Sequence, residues 1–252
     1  ENVAIGMQAL ENEDAHGKNV AIGYQALRTQ DASADGNNVA VGHEAGKSIT
    51  TGVRNIIMGA AAGDAITTGA NNTAIGHEAL GAEDTGSKNT AVGAYAMQDL
   101  NYDGEGHNTA VGYSAATDIT TGLKNTIIGS LAGDALTTGL ENTAIGYFAL
   151  STEDTGNYNV AIGKGALAVL NFDGNGYNTA VGYNAGSAAT SGVQNTLIGG
   201  LAGDALTTGT ANVAVGYLAL STEDTGSNNV AIGNSALKMQ DAGADAYNVA
   251  VG

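Results

Sequence analysis

Residues 72–76 read Asn72-Thr73-Ala74-Ile75-Gly76, and variants of this five-residue motif recur along the whole chain. The motif begins fifteen times, with Asn at positions 2, 19, 38, 55, 72, 89, 108, 125, 142, 159, 178, 195, 212, 229 and 248. Most copies begin at the same short distance along the sequence from the previous copy. Every fourth interval is two residues longer, and these longer intervals define a larger superrepeat. The residues that mark it are Asn38, Asn108, Asn178 and Asn248. A unit this short cannot bury its own apolar face, so successive units must stack on one another.

The composition of the motif predicts the fold. Counting the Asn as position 0, position 3 is always Ile, Val or Met and position 4 is always Gly. A β-branched segment that ends in Gly predicts a short strand followed by a tight corner. A helical repeat is a poor alternative, because many of the 39 Gly would lie inside helices.

We therefore predict an all-β parallel β-solenoid, or β-roll, of 17- and 19-residue coils with two short strands each, grouped in 70-residue superrepeats. Residues 1–252 are predicted to form one continuous repeat region, a fragment of a longer fibre protein. The Asn column is expected to form an amide ladder along the stack. The predicted structural positions in two representative coils are Asn72, Ile75, Gly76, Ala79, Asn142, Ile145, Gly146 and Ala149.

Alternation along the strand predicts which side chains face the interior. Positions 1 and 3 share one face of the strand, and positions 0 and 2 share the other. Because position 3 is never polar, we expect it to point inward and position 2 to point outward. The outward stripe would then pack against other copies of the chain, although exposed Ala needs no cover. The stripe includes Ala74, Ala91, Ala110, Ile127 and Ala144.

Composition and charge exclude several classes of partner. The formal net charge is −17, which argues against binding to nucleic acid or to an anionic membrane. There is no Cys, so neither disulfides nor thiol chemistry are available. No apolar run is long enough to span a bilayer.

Several copies of the motif resemble the repeats of known fibre proteins. Those at residues 2–6, 72–76 and 229–233 resemble the head repeats of trimeric autotransporter adhesins. Residues 195–199 and the following Ala202-Gly203-Asp204-Ala205-Leu206-Thr207-Thr208-Gly209 are similar to repeats in tail fibres of tailed phages. The resemblance to the adhesins implies a left-handed parallel β-roll, a side-by-side homotrimer and an extracellular place on a cell surface or virion.

No catalytic constellation stands out in the sequence. The four His, at positions 16, 43, 77 and 107, lie in different units, and solvated surface side chains explain them best. Acidic pairs recur once in every superrepeat and are interpreted as a solubility device: Glu13-Asp14, Glu83-Asp84, Glu153-Asp154 and Glu223-Asp224.

The longer coils carry two-residue insertions, and two of these loops alternate oxygen ligands with Gly. Asp103 and Glu105 lie in one loop, and Asp173 and Asn175 lie in the other. Such turns are predicted as Ca²⁺ sites, and an ordinary Asp-Gly turn is the alternative. No other cofactor is expected.

The leading functional hypothesis is a non-enzymatic shaft or head of a trimeric attachment fibre that presents a region binding a host-surface or extracellular receptor. A glycan-binding module is the alternative, acting through the aromatic residues of the long loops or through a column of Tyr after the motif Gly. Ice binding is disfavoured, because Thr occupies only seven of fifteen position-1 sites and is expected to point inward. An enzyme is the least favoured class.

Overall fold

The computed structural model describes residues 1–13, 17–32 and 34–252. The described chain is all-β, without a helix, and forms parallel β-solenoid coils of about 17 residues in about 14 turns. It therefore contains no helix that is long and apolar enough to cross a membrane. The coils group into two compact units, Glu1–Lys124 and Asn125–Gly252. One continuous repeat region over residues 1–252 stays a prediction.

Every motif forms one three-residue strand. The first unit contains β1 Val3–Ile5, β2 Val20–Ile22, β3 Val39–Val41, β4 Ile56–Met58, β5 Thr73–Ile75, β6 Thr90–Val92 and β7 Thr109–Val111. The second contains β8 Thr126–Ile128, β9 Thr143–Ile145, β10 Val160–Ile162, β11 Thr179–Val181, β12 Thr196–Ile198, β13 Val213–Val215, β14 Val230–Ile232 and β15 Val249–Val251.

Within each unit, consecutive strands pair in parallel and in register, so like positions lie above like positions. Thr73 pairs with Thr90 and Ala74 pairs with Ala91, for example. The longer interval falls between β2 and β3, β6 and β7, β10 and β11, and β14 and β15, and the register is kept across it. The two additional residues are therefore accommodated outside the strands.

The prediction of a second strand in each coil is wrong. Beyond the motif, the coil from residue 72 turns through left-handed positions at Glu78 (φ 54°), Leu80 (φ 52°) and Lys88 (φ 63°). These residues break the extended conformation that a strand requires. The turns still bond from coil to coil, as in the Leu80 N–H to Ala96 C=O bond of 3.1 Å.

The motif Gly is required by its backbone and by its neighbour, as predicted. Gly76 has φ 136°, a conformation that residues with a Cβ rarely adopt. A Cβ at this position would lie 2.4 Å from the carbonyl oxygen of Gly93 in the next coil. Gly146 is equivalent, with φ 135° and a Cβ position 2.6 Å from the Gly163 carbonyl carbon.

The Asn column is buried and connects each coil to the next. The side-chain oxygen of Asn72 accepts the backbone N–H of Asn89 at 2.9 Å, and its Nδ2 donates to the Gly86 carbonyl at 2.7 Å. Asn142 makes the same pair of bonds to Asn159 and Gly156. Direct amide–amide bonds also occur, as from Asn229 to Asn212 at 3.2 Å. The expected ladder therefore combines amide pairs with side-chain-to-backbone bonds.

The predicted orientation of the strand faces is reversed in the structure. The expected outward stripe is buried in the coil interior, with no side chain more than 1% exposed: Ala74, Ala91, Ala110, Ile127 and Ala144. Ile75 and Ile145, expected in the core, lie on the outward face and are partly exposed. The Asn side chain explains the reversal, because its bonds within the coil turn position 0 inward and position 2 follows by alternation.

The interior is narrow and filled mainly by small and aliphatic side chains. Ala79 and Ala149, predicted as structural positions, are fully buried. Leu80 and Leu150 are buried beside them in the sequence. A column at position 11 adds one large side chain per coil, as in Ile49, Ile66 and Leu100 of the first unit.

Candidate functional site

The outward strand face is a regular surface of each unit. Its two columns, positions 1 and 3, consist of Thr, Val, Ile and Met and include no charged residue, in a chain of net charge −17. Several of its apolar side chains are well exposed, including Ile56, Met58, Ile128, Ile198 and Ile232. Because neighbouring strands pair in register, the side chains form straight rows. This face could contact a flat or equally regular partner.

The position-5 column, directly after the motif Gly, lies on the surface as predicted. The ring of His43 is exposed and stacks on Tyr24, with 5.1 Å between centroids. His77 meets the edge of Tyr95 at 5.3 Å. In the second unit the column contains exposed Tyr147, Tyr183 and Tyr217. Asp14 and His16 lie outside the described residues.

The aromatic residues of the long loops contact their own loop or the preceding coil. Tyr102 lies against Gly104, where an added Cβ would be 2.7 Å from its ring, and Phe172 lies in the same way against Gly174. Tyr177 stacks on Tyr158 with centroids 5.2 Å apart and rings nearly parallel.

The residues predicted to bind Ca²⁺ have separate partners. Asp103 accepts a hydrogen bond from the Thr85 hydroxyl at 2.6 Å, whereas Glu105 pairs with Lys88 at 2.7 Å. Asp173 accepts from the Thr155 hydroxyl at 2.9 Å. Asn175 bonds to Asn157 and to the Tyr177 hydroxyl, each at 3.3 Å. These contacts link neighbouring coils or close the loop, and Ca²⁺ binding here stays a prediction.

Among the described residues, one group of three acidic side chains brings an oxygen from each within 4.8 Å of the others: Glu223, Asp224 and Asp241. Glu223 is buried, whereas the two Asp are exposed. Both Glu223 oxygens already accept backbone N–H groups, from Gly226 at 2.7 Å and from Ala242 at 3.1 Å. The cluster therefore offers no free buried ligand, and we assign no metal to it.

The interpretation of the acidic pairs as solvated charges is wrong for three glutamates. Glu83, Glu153 and Glu223 are completely buried, although the Asp that follows each is more exposed. Each Glu takes the position-11 site that aliphatic residues fill in most other coils. Glu153, for example, corresponds to Leu136 in the preceding coil and to Leu170 in the following one.

The buried glutamates face the insertion in the next coil. Glu153 accepts the Gly156 N–H at 2.8 Å and, with its second oxygen, the Phe172 N–H at 3.3 Å. Phe172 lies in the loop of a longer coil, and Glu223 binds Ala242 of another such loop. Glu83 accepts from Gly86 at 2.6 Å, while its buried Oε2 faces the Tyr102 N–H without a hydrogen bond of standard geometry. The sequence signal was available, because the acidic pair occurs once per superrepeat, always one coil before an insertion.

Burial raises the pKa of the Glu83 and Glu153 carboxyls. The pKa of Glu83 rises to about 7, mainly because burial disfavours the charged form, and the Gly86 N–H bond only partly offsets this. Asp84 raises the pKa of Glu83 further through charge repulsion. Burial raises the pKa of Glu153 in the same way, opposed by bonds from Gly156 and Phe172.

Comparison with known protein families finds no family that matches this chain. Comparison with curated proteins finds no significant match either.

Proposed function

We propose that this chain is a structural element, a shaft or head, of an extracellular attachment fibre. The observation that carries the proposal is the uncharged outward strand face, which every coil extends and whose side chains are partly or well exposed in the described coils. Each coil satisfies its backbone through the coils above and below, so a fibre can be lengthened by adding coils without redesigning a core. In this proposal, the superrepeat is the unit of that lengthening.

The same face supports assembly into a homotrimer. Monomeric proteins rarely expose large contiguous apolar patches, and such patches commonly mark protein–protein interfaces. Rows of Ile, Val and Thr on a regular strand face are suited to pack against the same face of identical chains. We propose that positions 1 and 3 form the interface, in place of the position-2 stripe expected from the sequence.

Analytical ultracentrifugation of the intact chain tests this proposal. We expect a trimer for the parent chain and a monomer for the double variant Ile162→Glu/Ile198→Glu, which places two charges on the face. Asn234→Glu, an exposed position in the position-5 column, is the matched control and should remain trimeric. A parent chain that stays monomeric at micromolar concentration would contradict the assembly proposal.

Ice binding is a second candidate, because the structure removes one of the two arguments against it, the inward orientation of Thr. Thr73, Thr90 and Thr109 point outward from three consecutive paired strands, contrary to the inward orientation expected. Their methyl and hydroxyl groups repeat at the strand spacing of about 4.8 Å on a flat face. Thermal hysteresis by the monomeric chain, abolished in Thr90→Lys, would favour ice binding over assembly. A trimer without hysteresis would reject it.

A further inference from the structure

A row of side chains in the second unit is suited to bind a ligand that the attachment-fibre proposal does not require. Position 5 of successive coils is occupied by Tyr147, Lys164, Tyr183, Gly200 and Tyr217. The three Tyr are exposed to 46%, 54% and 54%. The row therefore presents aromatic surface at every second coil.

The residues between the Tyr keep the row open. The Lys164 ammonium lies 6.0 Å from the centre of the Tyr147 ring and 5.8 Å from that of Tyr183, within reach of both. Gly200 has no side chain, and a Cβ there would lie 3.5 Å from the ring of Tyr217. Thus no bulky group separates Tyr183 from Tyr217, and one hydrogen-bond donor lies between Tyr147 and Tyr183.

The strand register sets the spacing of the rings. The strands that precede these residues, β9 to β13, pair in register without a shift. Two coils rise about 9.6 Å, which is the expected distance along the stack between successive Tyr positions. This distance is close to the length of two sugar rings in an extended β-linked polysaccharide.

We propose that this row binds an extended, neutral β-1,4-linked polysaccharide, with one Tyr for each disaccharide. The apolar C–H faces of alternate sugars would stack on the three rings, as flat apolar surfaces do on aromatic side chains. Lys164 would donate hydrogen bonds to the hydroxyl groups of the sugar between Tyr147 and Tyr183. This binding is independent of whether the chain assembles into a trimer.

Charge selects a neutral chain over an anionic one. Residues 125–252 contain ten acidic and two basic residues, a formal net charge of −8 (2 − 10). Lys164 is the one basic residue in the row. A polysaccharide with a carboxylate or sulfate on each repeat would therefore be repelled by the unit as a whole.

The first unit supplies an internal comparison. Its position-5 column places Tyr24 and His43 in adjacent coils, where their rings stack on each other. Ala60 and Ala94 occupy two later sites of the same column. Tyr113 comes two coils before Tyr147 in the repeat count, so it does not serve as a comparison for the row. Only the second unit has three Tyr at two-coil intervals.

Isothermal titration of the intact chain with cellohexaose tests the proposal, with cellobiose as a short probe. We expect cellohexaose to bind, cellobiose to bind at least about tenfold more weakly, and Tyr183→Ala to weaken cellohexaose binding about tenfold. Tyr183→Phe keeps the ring and should retain binding within about threefold. Tyr24→Ala in the first unit is the matched control and should bind like the parent, because the site two coils after it in the column is Ala60.

Three results would overturn the proposal. One is the absence of cellohexaose binding to a chain whose circular dichroism shows the folded β-structure. Another is equal loss in Tyr24→Ala and Tyr183→Ala, which would point to a site elsewhere. The third is tighter binding of an oligogalacturonate than of cellohexaose, which would contradict the choice of a neutral ligand. None of these results bears on sedimentation as a trimer.

Discussion

The shorter and longer coils differ in how the backbone N–H groups between stacked coils find hydrogen-bond acceptors. In the shorter coil that begins at Asn195, the Thr207 N–H donates to the Asp224 carbonyl of the next coil at 2.7 Å, and Leu206 fills the interior. Where a longer coil follows, Glu153 replaces the aliphatic residue, and its carboxyl accepts the Phe172 N–H of the inserted loop. An insertion in a solenoid thus leaves a backbone donor without its usual partner, and a buried side chain from the preceding coil satisfies it.

Moving the carboxyl into a coil that precedes no insertion should have the largest effect. Leu206 is buried, and the coil after it carries no insertion. Leu206→Glu would bury a carboxyl without the loop N–H that Phe172 supplies to Glu153, at a cost of about 4 kcal/mol in unfolding free energy. Urea denaturation at pH 7 measures this cost. A loss below about 1 kcal/mol would mean that the interior tolerates a carboxyl without the insertion.

The buried carboxyl should make the folded state more stable in mild acid. The pKa of Glu83 is about 7 in the folded chain against a reference value of 4.5, so the folded state binds the proton more tightly. Its contribution is fully present below about pH 4.5 and is lost as the pH rises through about 7. Between pH 5 and pH 8 we expect a loss of roughly 2 to 3 kcal/mol from this residue.

The contribution of Glu83 is isolated by comparing the pH dependence of the unfolding free energy of the parent chain with that of Glu83→Gln. The variant cannot titrate at this site, so its stability should fall less between pH 5 and pH 8. Other carboxyls whose pKa burial raises, such as Asp204, remain in both chains and cancel in the comparison. Parallel pH profiles of the two proteins would show that Glu83 is not the titrating group.

Replacing the buried Glu153 by the aliphatic residue found at this position in neighbouring coils should have an intermediate effect on the unfolding free energy. Glu153→Leu copies the residue found at Leu136 and Leu170, but it leaves the Gly156 and Phe172 N–H groups without acceptors. We expect a loss of about 2 kcal/mol at pH 6, because lost hydrogen bonds outweigh the added apolar burial. The same measurement on Glu153→Gln, which keeps one acceptor, should give about half that loss. A gain in stability for Glu153→Leu would contradict the role assigned to the carboxyl.

The exposed contact between the two coil types should contribute least. Asp173 of the inserted loop accepts a hydrogen bond from the Thr155 hydroxyl in the preceding coil. Asp173→Ala should lower the unfolding free energy by about 0.5 kcal/mol, because exposed polar contacts compete with water. If millimolar CaCl₂ raised the melting temperature of the parent but not of Asp173→Ala, the loop would be a Ca²⁺ site after all.

The sequence predicts the backbone conformation of this molecule better than it predicts which face of each strand points to the interior. The corner at Gly76 and the column that contains Asn72 can be predicted from residue type, because Gly and Asn in this repeated pattern are compatible with few other conformations. The strand orientation was missed because Ala74 and Ile75 are both apolar, so hydrophobic alternation does not distinguish the faces. The hydrogen bonds of Asn72 decide between them, and those depend on the carbonyl of Gly86, which lies near the far end of the same coil.

The candidate sites show the same division. The surface column of Tyr147, Tyr183 and Tyr217 follows from its place after the motif Gly, and the structure confirms that it is exposed. The burial of Glu83 could not be read from charge alone, since Glu in a Glu-Asp pair is usually solvated. The feature that distinguishes it is a backbone N–H donor in the loop of the next coil. Local sequence patterns do not reveal a contact between residues that lie a whole coil apart.

A ¹³C-detected pH titration of the glutamate side-chain carboxyls tests the buried carboxyl most directly, with Glu83→Gln used to assign its resonance. We expect the Glu83 signal to titrate with a midpoint near pH 7 in the folded chain. A midpoint near 4.5 would place that carboxyl in water and contradict the proposed difference between the two types of coil.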